Sequence, residues 1–205
     1  MAETMLAGVE LGGTKCVCVL ATPKGEILTQ QRVDTEAPDV TLPRIRAVLR
    51  QWFREEHSIG ALGLASFGPI DVDRASPGWG RIGQTPKPGW TGVDIVNALS
   101  VGLGVPVALD TDVNGAALAE MRWGAAAGLS DYAYVTIGTG VGVGLIVGGK
   151  PIDMRVATLP TVWGEKVVMR ILDNNATRRD IGDLGMLDRN LAVYRNSYTK
   201  PYGMI

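Results

Sequence analysis

Three short apolar runs open the chain, at residues 7–11, 16–21 and 27–33. Gly12-Gly13-Thr14 separates the first two and Pro23-Lys24-Gly25-Glu26 the last two, so the pattern predicts three strands joined by tight turns. Leu42, Ile45, Val48, Leu49, Trp52 and Phe53 then recur at helical spacing. They predict a helix over 42–53, with Thr41 as N-cap and Pro43 in the first turn. Residues 60–66 read as a buried strand. Residues 67–90 hold Pro69, Pro77, Pro86, Pro88 and several glycines, a loop long enough in a compact domain to suggest function or disorder. A helix over 93–99, a strand over 105–109 and an Ala-rich helix over 113–127 follow. Strands are expected again at 132–137 and 141–147.

The first and last of these hairpins are one unit written twice. Ala7-Gly8-Val9-Glu10-Leu11-Gly12-Gly13-Thr14 runs into Lys15-Cys16-Val17-Cys18-Val19-Leu20, and Tyr134-Val135-Thr136-Ile137-Gly138-Thr139-Gly140 runs into Val141-Gly142-Val143-Gly144-Leu145. Each tip presents backbone N–H groups and a hydroxyl. Glycine lets the main chain approach an oxyanion closely, and successive N–H groups form an anion-binding nest. A pair of such tips points to a duplicated domain that grips a nucleotide polyphosphate between its halves.

Composition narrows the class without changing that picture. With 205 residues, 46% hydrophobic and 20% charged, the chain has the make-up of a soluble globular protein with ample core. A net charge of −1 and the lack of a long basic run give no reason to expect nucleic acid. Met1-Ala2-Glu3-Thr4 lacks the positive flank of a signal peptide, and no apolar run is long enough to span a membrane. Cys16 and Cys18 alternate on one expected strand and read as small core hydrophobes in a reducing compartment, so the cytoplasm is expected.

Five segments, in order, carry a resemblance to a known family. Glu10-Leu11-Gly12-Gly13-Thr14-Lys15 resembles the N-terminal phosphate loop of the ROK family (repressors, open reading frames, kinases). Thr111-Asp112-Val113-Asn114-Gly115-Ala116 resembles its catalytic segment, and Thr136-Ile137-Gly138-Thr139-Gly140-Val141-Gly142 its second phosphate loop. Ser66-Phe67-Gly68-Pro69 and Thr85-Pro86-Lys87-Pro88-Gly89-Trp90 are similar to loops that shape the sugar site in the family's bacterial fructokinase branch. The resemblance covers residues 5 to about 151. It implies an α/β fold of the actin-like ATPase / ribonuclease H-like type, two βββαβαβ halves facing across a cleft. It also implies ATP-dependent phosphorylation of a hexose, with fructose converted to fructose 6-phosphate. Partners would be the sugar, ATP and Mg²⁺, with no nucleic acid or membrane, in a homodimer.

Each residue so marked also has a plainer reading. Asp112 follows a strand and precedes a helix; the resemblance makes it the general base, and its position alone makes it an N-cap. Asn114 either fixes sugar hydroxyls or pins the helix start. Ser66, Phe67, Gly68 and Pro69 line the sugar or form a strand exit. Thr85, Lys87 and Trp90 line the sugar or pack the loop. Gly12, Gly13, Thr14 and Lys15, with Gly138, Thr139, Gly140 and Gly142, are the phosphate-binding set, although Lys15 could equally be an exposed strand lysine. Glu10 holds Mg²⁺ through water or is a carboxylate at the core edge. His57, the only histidine, reads as a solvated residue at the end of the first helix.

The family pattern stops near residue 152. The resemblance implies a His-containing sugar segment, a zinc motif of one His and three Cys, and a Gly-rich adenosine loop further on. No His or Cys follows residue 150, and of the 27 glycines only Gly164, Gly182, Gly185 and Gly203 do. The expected organisation is a sugar-kinase lobe at 1–112, a connecting helix and the start of a nucleotide-binding lobe at 113–151, and a non-family tail at 152–205. The first lobe is complete and the second truncated. A weak helix is expected over 164–173, and residues 184–194 show poor helical patterning. A frameshift or aberrant junction near residue 152 would explain the tail, as would a diverged short protein. Function is then either sugar phosphorylation or that of an inactive fragment; a ROK-type sugar-sensing regulator fits less well, because the chain starts directly on the first strand.

Overall fold

The three N-terminal apolar runs form an antiparallel meander of β1 (Met5–Leu11), β2 (Lys15–Ala21) and β3 (Ile27–Asp34). The computed structural model describes residues 4–56, 58–137, 141–152, 154–171 and 186–198. Strand alternation turns Ala7, Val9 and Leu11 inward together with Cys16, Cys18 and Leu20. Both cysteines are free and buried, as expected, and burial pushes the Cys18 thiol up to about 12, which keeps it unreactive.

Helix α1 (Pro38–Glu55) leads into β4 (Ile59–Ser66), which pairs parallel to β1. Helix α2 (Ile95–Ser100) leads into β5 (Val107–Thr111), parallel to β4, and the sheet order is β3-β2-β1-β4-β5. This is the βββαβαβ lobe expected. Leu42, Ile45, Leu49 and Trp52 of α1 close one face of the sheet in the main core. The helix begins earlier than expected, with Ala37 at the N-cap and Pro38 in the first turn. Thr41 is therefore no cap: it is buried within the helix, and its hydroxyl accepts the Glu36 N–H at 2.8 Å. A side-chain cap is found instead at α2, where Asp94 accepts the Asn97 N–H at 2.9 Å.

The long loop is built into the core. Bridges join Ile70 to Ile82 and Arg81 to Asp94, and Ile82 and Trp90 are buried. Helix α3 (Asp112–Trp123) stops at Gly124, short of residue 127. A second antiparallel meander comes next: β6 (Tyr132–Ile137), β7 (Val141–Val147) and β8 (Lys150–Ile152), in the order β6-β7-β8. Helix α3 lies between the two sheets, against β4 and β5 on one side and β6 and β7 on the other. Gly144 permits this approach, because a Cβ there would stand 2.5 Å from the Val113 carbonyl oxygen.

Beyond residue 152 the structure departs from expectation. Residues 154–171 form a hairpin of β9 (Met154–Thr161) and β10 (Gly164–Ile171), so the helix expected over 164–173 is a strand where it is described. The pairing runs unbroken from Gly164↔Thr161 to Ile171↔Met154, and such cross-strand pairing overrides a weak helical pattern. A further helix, α4 (Asp188–Tyr198), forms despite its poor apolar spacing. Asp188 in its first turn and Arg195 in its last suit the helix dipole.

Candidate functional site

Three parallel strands end at one edge of the first sheet. Register places Leu11 of β1 beside Ser66 of β4, and Ser66 beside Thr111 of β5. The Phe67 N–H donates to the Leu11 carbonyl at 2.9 Å, which ties two of the three exits together. The turn at 12–14, the loop starting at Phe67 and the first residue of α3 therefore emerge side by side. Carboxyl ends of parallel strands are where open α/β sheets place their ligands, because the loops there diverge and leave a crevice.

The turn at 12–14 is held from behind. The Gly12 N–H donates to the Lys15 carbonyl at 3.1 Å, and a Cβ on Gly12 would lie 2.6 Å from that oxygen, so only glycine closes the turn. Gly13, Thr14 and Lys15 are exposed, as a phosphate loop requires. The Thr35 hydroxyl donates to the Gly12 carbonyl at 2.8 Å and its N–H donates to the Thr14 carbonyl at 3.0 Å. Lys87 Nζ donates to the Gly13 carbonyl and lies 5.7 Å from the centre of the Phe67 ring. The long loop thus clamps the turn, and Lys87 brings a positive charge to it.

Thr35 is not visible as a site residue from the sequence, where it is one polar residue after a strand. Replacing Thr35 by Val removes the donor to Gly12 and is expected to cost about 1 kcal/mol of stability by urea titration. It should also loosen the turn, read as faster amide exchange at Gly12 to Lys15.

Asp112 opens α3 but does not cap it. Thr111 is the N-cap, its hydroxyl accepting the Asn114 N–H at 3.2 Å, so the plainer reading of Asp112 is overturned. Asp112 Oδ1 accepts the Val113 N–H at 2.9 Å. Burial raises its carboxyl above the ordinary value of 3.8, and the negative charge of Glu10 raises it further, against the lowering effect of the Val113 N–H. Glu10 is exposed at the end of β1. Asn114 is 5% exposed and donates to Asp110 Oδ1 at 2.8 Å, an atom that also accepts the Thr111 N–H at 2.8 Å. The Asn114 amide is thus engaged in pinning the strand-to-helix turn. Asp110 is a second residue that sequence reasoning misses; the pair of acids in Asp110-Thr111-Asp112 is its only signal.

Other candidates divide. Ser66 is fully buried and donates to the Phe67 carbonyl at 3.0 Å, so its hydroxyl serves the strand exit. Phe67 is half-buried, while Gly68 and Pro69, joined by a cis peptide bond, are exposed at the edge. Thr85 is half-buried, with its hydroxyl accepting the Lys87 N–H at 3.3 Å. Trp90 is loop packing: it is fully buried, donates Nε1–H to the Glu36 carbonyl at 3.0 Å and meets Phe67 edge-on at 5.1 Å. Gly142 packs on α3, since a Cβ there would fall 2.7 Å from the Val113 side chain. Gly138, Thr139, Gly140 and His57 lie outside the described residues. No group of three or more His, Cys, Asp or Glu that could hold a metal occurs among the described residues.

The model of the ROK family matches residues 6–156, the stretch that holds the turn at 12–14, the loop starting at Phe67 and Asp112. The chain belongs to the ROK family. It is 45% identical over 148 residues to a fructokinase of Zymomonas mobilis, covering 70% of this chain and 48% of that protein. It is 40% identical over 146 residues to a putative fructokinase of Bacillus subtilis, covering 71% and 47%. Among solved structures, a ROK family glucokinase from Streptomyces griseus in complex with glucose and AMPPNP has a TM-score of 0.62 at 30% identity, over 72% of this chain and 46% of that one. The ROK part of the chain thus spans about half the length of the curated relatives it matches. A second model, Type II/IV secretion system protein, matches residues 137–205. The chain is also 46% identical over 63 residues to the Type II secretion system ATPase E of Vibrio cholerae, 31% of this chain and 12% of that protein. No helix among the described residues is long and apolar enough to cross a membrane.

Proposed function

We propose that residues 4–152 are the sugar-binding, base-bearing half of an ATP-dependent hexose kinase whose substrate is fructose. The observation that carries this reading is the shared sheet edge, which sets the glycine turn, the Phe67–Pro69 loop and Asp112 side by side. Identity of 45% to a fructokinase supports the choice of sugar. The fold alone does not separate kinases from regulators, since a ROK family transcriptional regulator shares it at a TM-score of 0.62 and 18% identity.

The chemistry asks little of the protein beyond alignment and a proton acceptor. The sugar hydroxyl oxygen forms a bond to the γ-phosphorus as the bond to the β,γ-bridging oxygen breaks, and ADP leaves. Asp112 takes the hydroxyl proton and returns it to solvent. Its raised affinity for a proton, caused by burial and the Glu10 charge, suits that acceptance. The exposed Gly13 and Thr14 amides of the turn would face the phosphates, and Lys87 adds charge there. Glu10 would hold Mg²⁺ through water, which suits an ion that keeps several waters and is bound by one or two carboxylates and substrate phosphates rather than by a full protein cage. When bound, the ion would neutralise the phosphate charge.

The tail belongs to a different unit in this reading. A shifted reading frame does not produce 46% identity over 63 residues to another family, which favours an in-frame junction near residue 152.

Saturation-transfer NMR on the full chain with fructose, glucose and mannose tests the sugar assignment. A fructose signal several-fold stronger than the others is expected. Equal signals for all three hexoses would remove fructose as the specific ligand, and no signal from any would remove the sugar site.

A further inference from the structure

Helix α1 presents a second stripe besides the one it buries. Leu42, Ile45, Leu49 and Trp52 close the sheet, while Arg46, Arg50 and Arg54 recur at every fourth residue along another line of the helix. That line forms one wall of a groove of about 910 Å³, and Ala98, Gly102 and Leu103, from α2 and the turn after it, form the other. Leu42, Phe53, Ala98 and Leu103 give the groove an apolar lining continuous with the main core. None of its residues belongs to the sheet edge that holds the 12–14 turn and Asp112.

Fold stability does not account for the arginines. Like charges at i, i+4 repel along a helix. Arg54 lies in the last turn, where the dipole favours a cation, but Arg46 and Arg50 lie further in. The ion pairs among the described residues are Arg44–Glu36 and Arg81–Asp94, so no carboxylate neutralises the stripe. Asp39 is the one acid that lines the groove, in the first turn of α1, and Glu55 accepts the Gln51 side-chain N–H at 3.0 Å. In a chain of net charge −1 this is a local excess of positive charge.

Arg46 points to a ligand. Its Nε–H is buried with no hydrogen-bond partner, and its Nη2 holds the Val101 carbonyl only at 3.3 Å. A buried N–H is rarely left unpaired unless something else completes it. A guanidinium offers parallel N–H groups that fit one phosphate, and Arg50, one turn on, can share it. We propose that the groove between α1 and α2 binds a phosphorylated small molecule with an apolar or ring-shaped body, its phosphate on Arg46 and Arg50 and its body on Phe53, Ala98 and Leu103. Small-ligand sites run from about 300 to 1,000 Å³ and combine an apolar lining with a few convergent charges, as here. The dozen residues that line the groove fall short of the roughly 20–30 a stable protein interface takes from each side, which favours a small molecule over a polypeptide. The inference rests on neither the sugar nor the phosphate turn.

The test is an NMR titration of the isotope-labelled full chain with phenyl phosphate, inorganic phosphate and benzyl alcohol. Phenyl phosphate should shift the amides of Arg46, Arg50, Phe53, Ala98 and Leu103. It should bind about fivefold or more tighter than inorganic phosphate, which lacks the apolar body, and than benzyl alcohol, which lacks the charge. The doubly substituted chain Arg46→Gln, Arg50→Gln should bind phenyl phosphate about tenfold or more weakly, because it loses the charge-assisted bonds. Its melting temperature should hold, since glutamine is a good helix former and a like-charge pair is removed. Arg32→Gln, on exposed β3, removes a charge elsewhere and should leave binding unchanged. Shifts confined to Gly12–Lys15, equal binding of phenyl and inorganic phosphate, or equal binding by the doubly substituted chain overturns the proposal. A Glu-rich helical peptide that binds the groove where phenyl phosphate does not overturns it too. Binding of phenyl phosphate in the groove without any fructose signal upholds the site and counts only against the sugar reading.

Discussion

Exchanging Asp112 for Asn is expected to lower fructose-dependent ADP release by about 10²- to 10⁴-fold, the range removed with a general base. The assay is a coupled one on the full chain. The exchange keeps size and the α3 start, because Thr111 and Asn114 supply the cap. It removes only the group that accepts the proton. Activity within about tenfold of the parent would leave Asp112 a structural residue. Stability supplies an independent sign. Burial and the Glu10 charge raise the Asp112 carboxyl above 3.8, so the folded state binds this proton more tightly than the unfolded chain. The favourable contribution is present at pH below 3.8 and is lost as pH rises through the raised value. At neutral pH Asp112→Asn should therefore melt higher than the parent, with the difference vanishing in acid. A lower melting temperature at pH 7 would contradict the burial that makes Asp112 a base. Phosphoryl transfer should rise with pH across the same window, since only the carboxylate accepts a proton.

The second large effect concerns the clamp. Trp90→Ala is expected to cost about 3–5 kcal/mol, as for other large buried aromatics, read by urea titration. Trp90 is fully buried, its indole N–H donates to the Glu36 carbonyl, and its ring meets Phe67. Removing it opens a cavity and leaves that carbonyl unpaired. It also frees the loop that carries Lys87, whose ammonium group donates to Gly13 of the phosphate turn. Trp90→Phe should retain most of the packing and lose about 1 kcal/mol with the hydrogen bond. A loss below about 1 kcal/mol for Trp90→Ala would mean that the loop is not anchored through this ring.

The fate of Trp90 shows where a sequence stops being legible. Its neighbours Thr85 and Lys87 belong to a run similar to a sugar-site loop, and pattern alone leaves lining and packing equally open. Burial separates them: Trp90 turns into the core while Lys87 reaches the turn. Thr41 and Asp112 both pass for caps in the sequence, for a related reason. Many polar residues near a helix start can cap, and only backbone geometry decides that Ala37 and Thr111 hold those positions.

Local chemistry determined the rest. Alternating apolar residues, a glycine turn and helical spacing were enough to define the strands, α1, the duplicated hairpin and the βββαβαβ lobe, because each rests on short-range sterics and on which side chains leave water. The order of motifs was enough for the family. Contacts between distant segments were not legible. Thr35 bracing the turn, Asp110 holding Asn114, the hairpin over 154–171 and the exposure of Val135 and Ile137 on β6 each depend on which surfaces meet after the chain has folded. Periodicity marks Val135 and Ile137 as apolar, just as it marks Val9 and Leu11. Only the tertiary structure shows that one row is covered by α1 and the other is not, because burial belongs to the neighbour as much as to the residue.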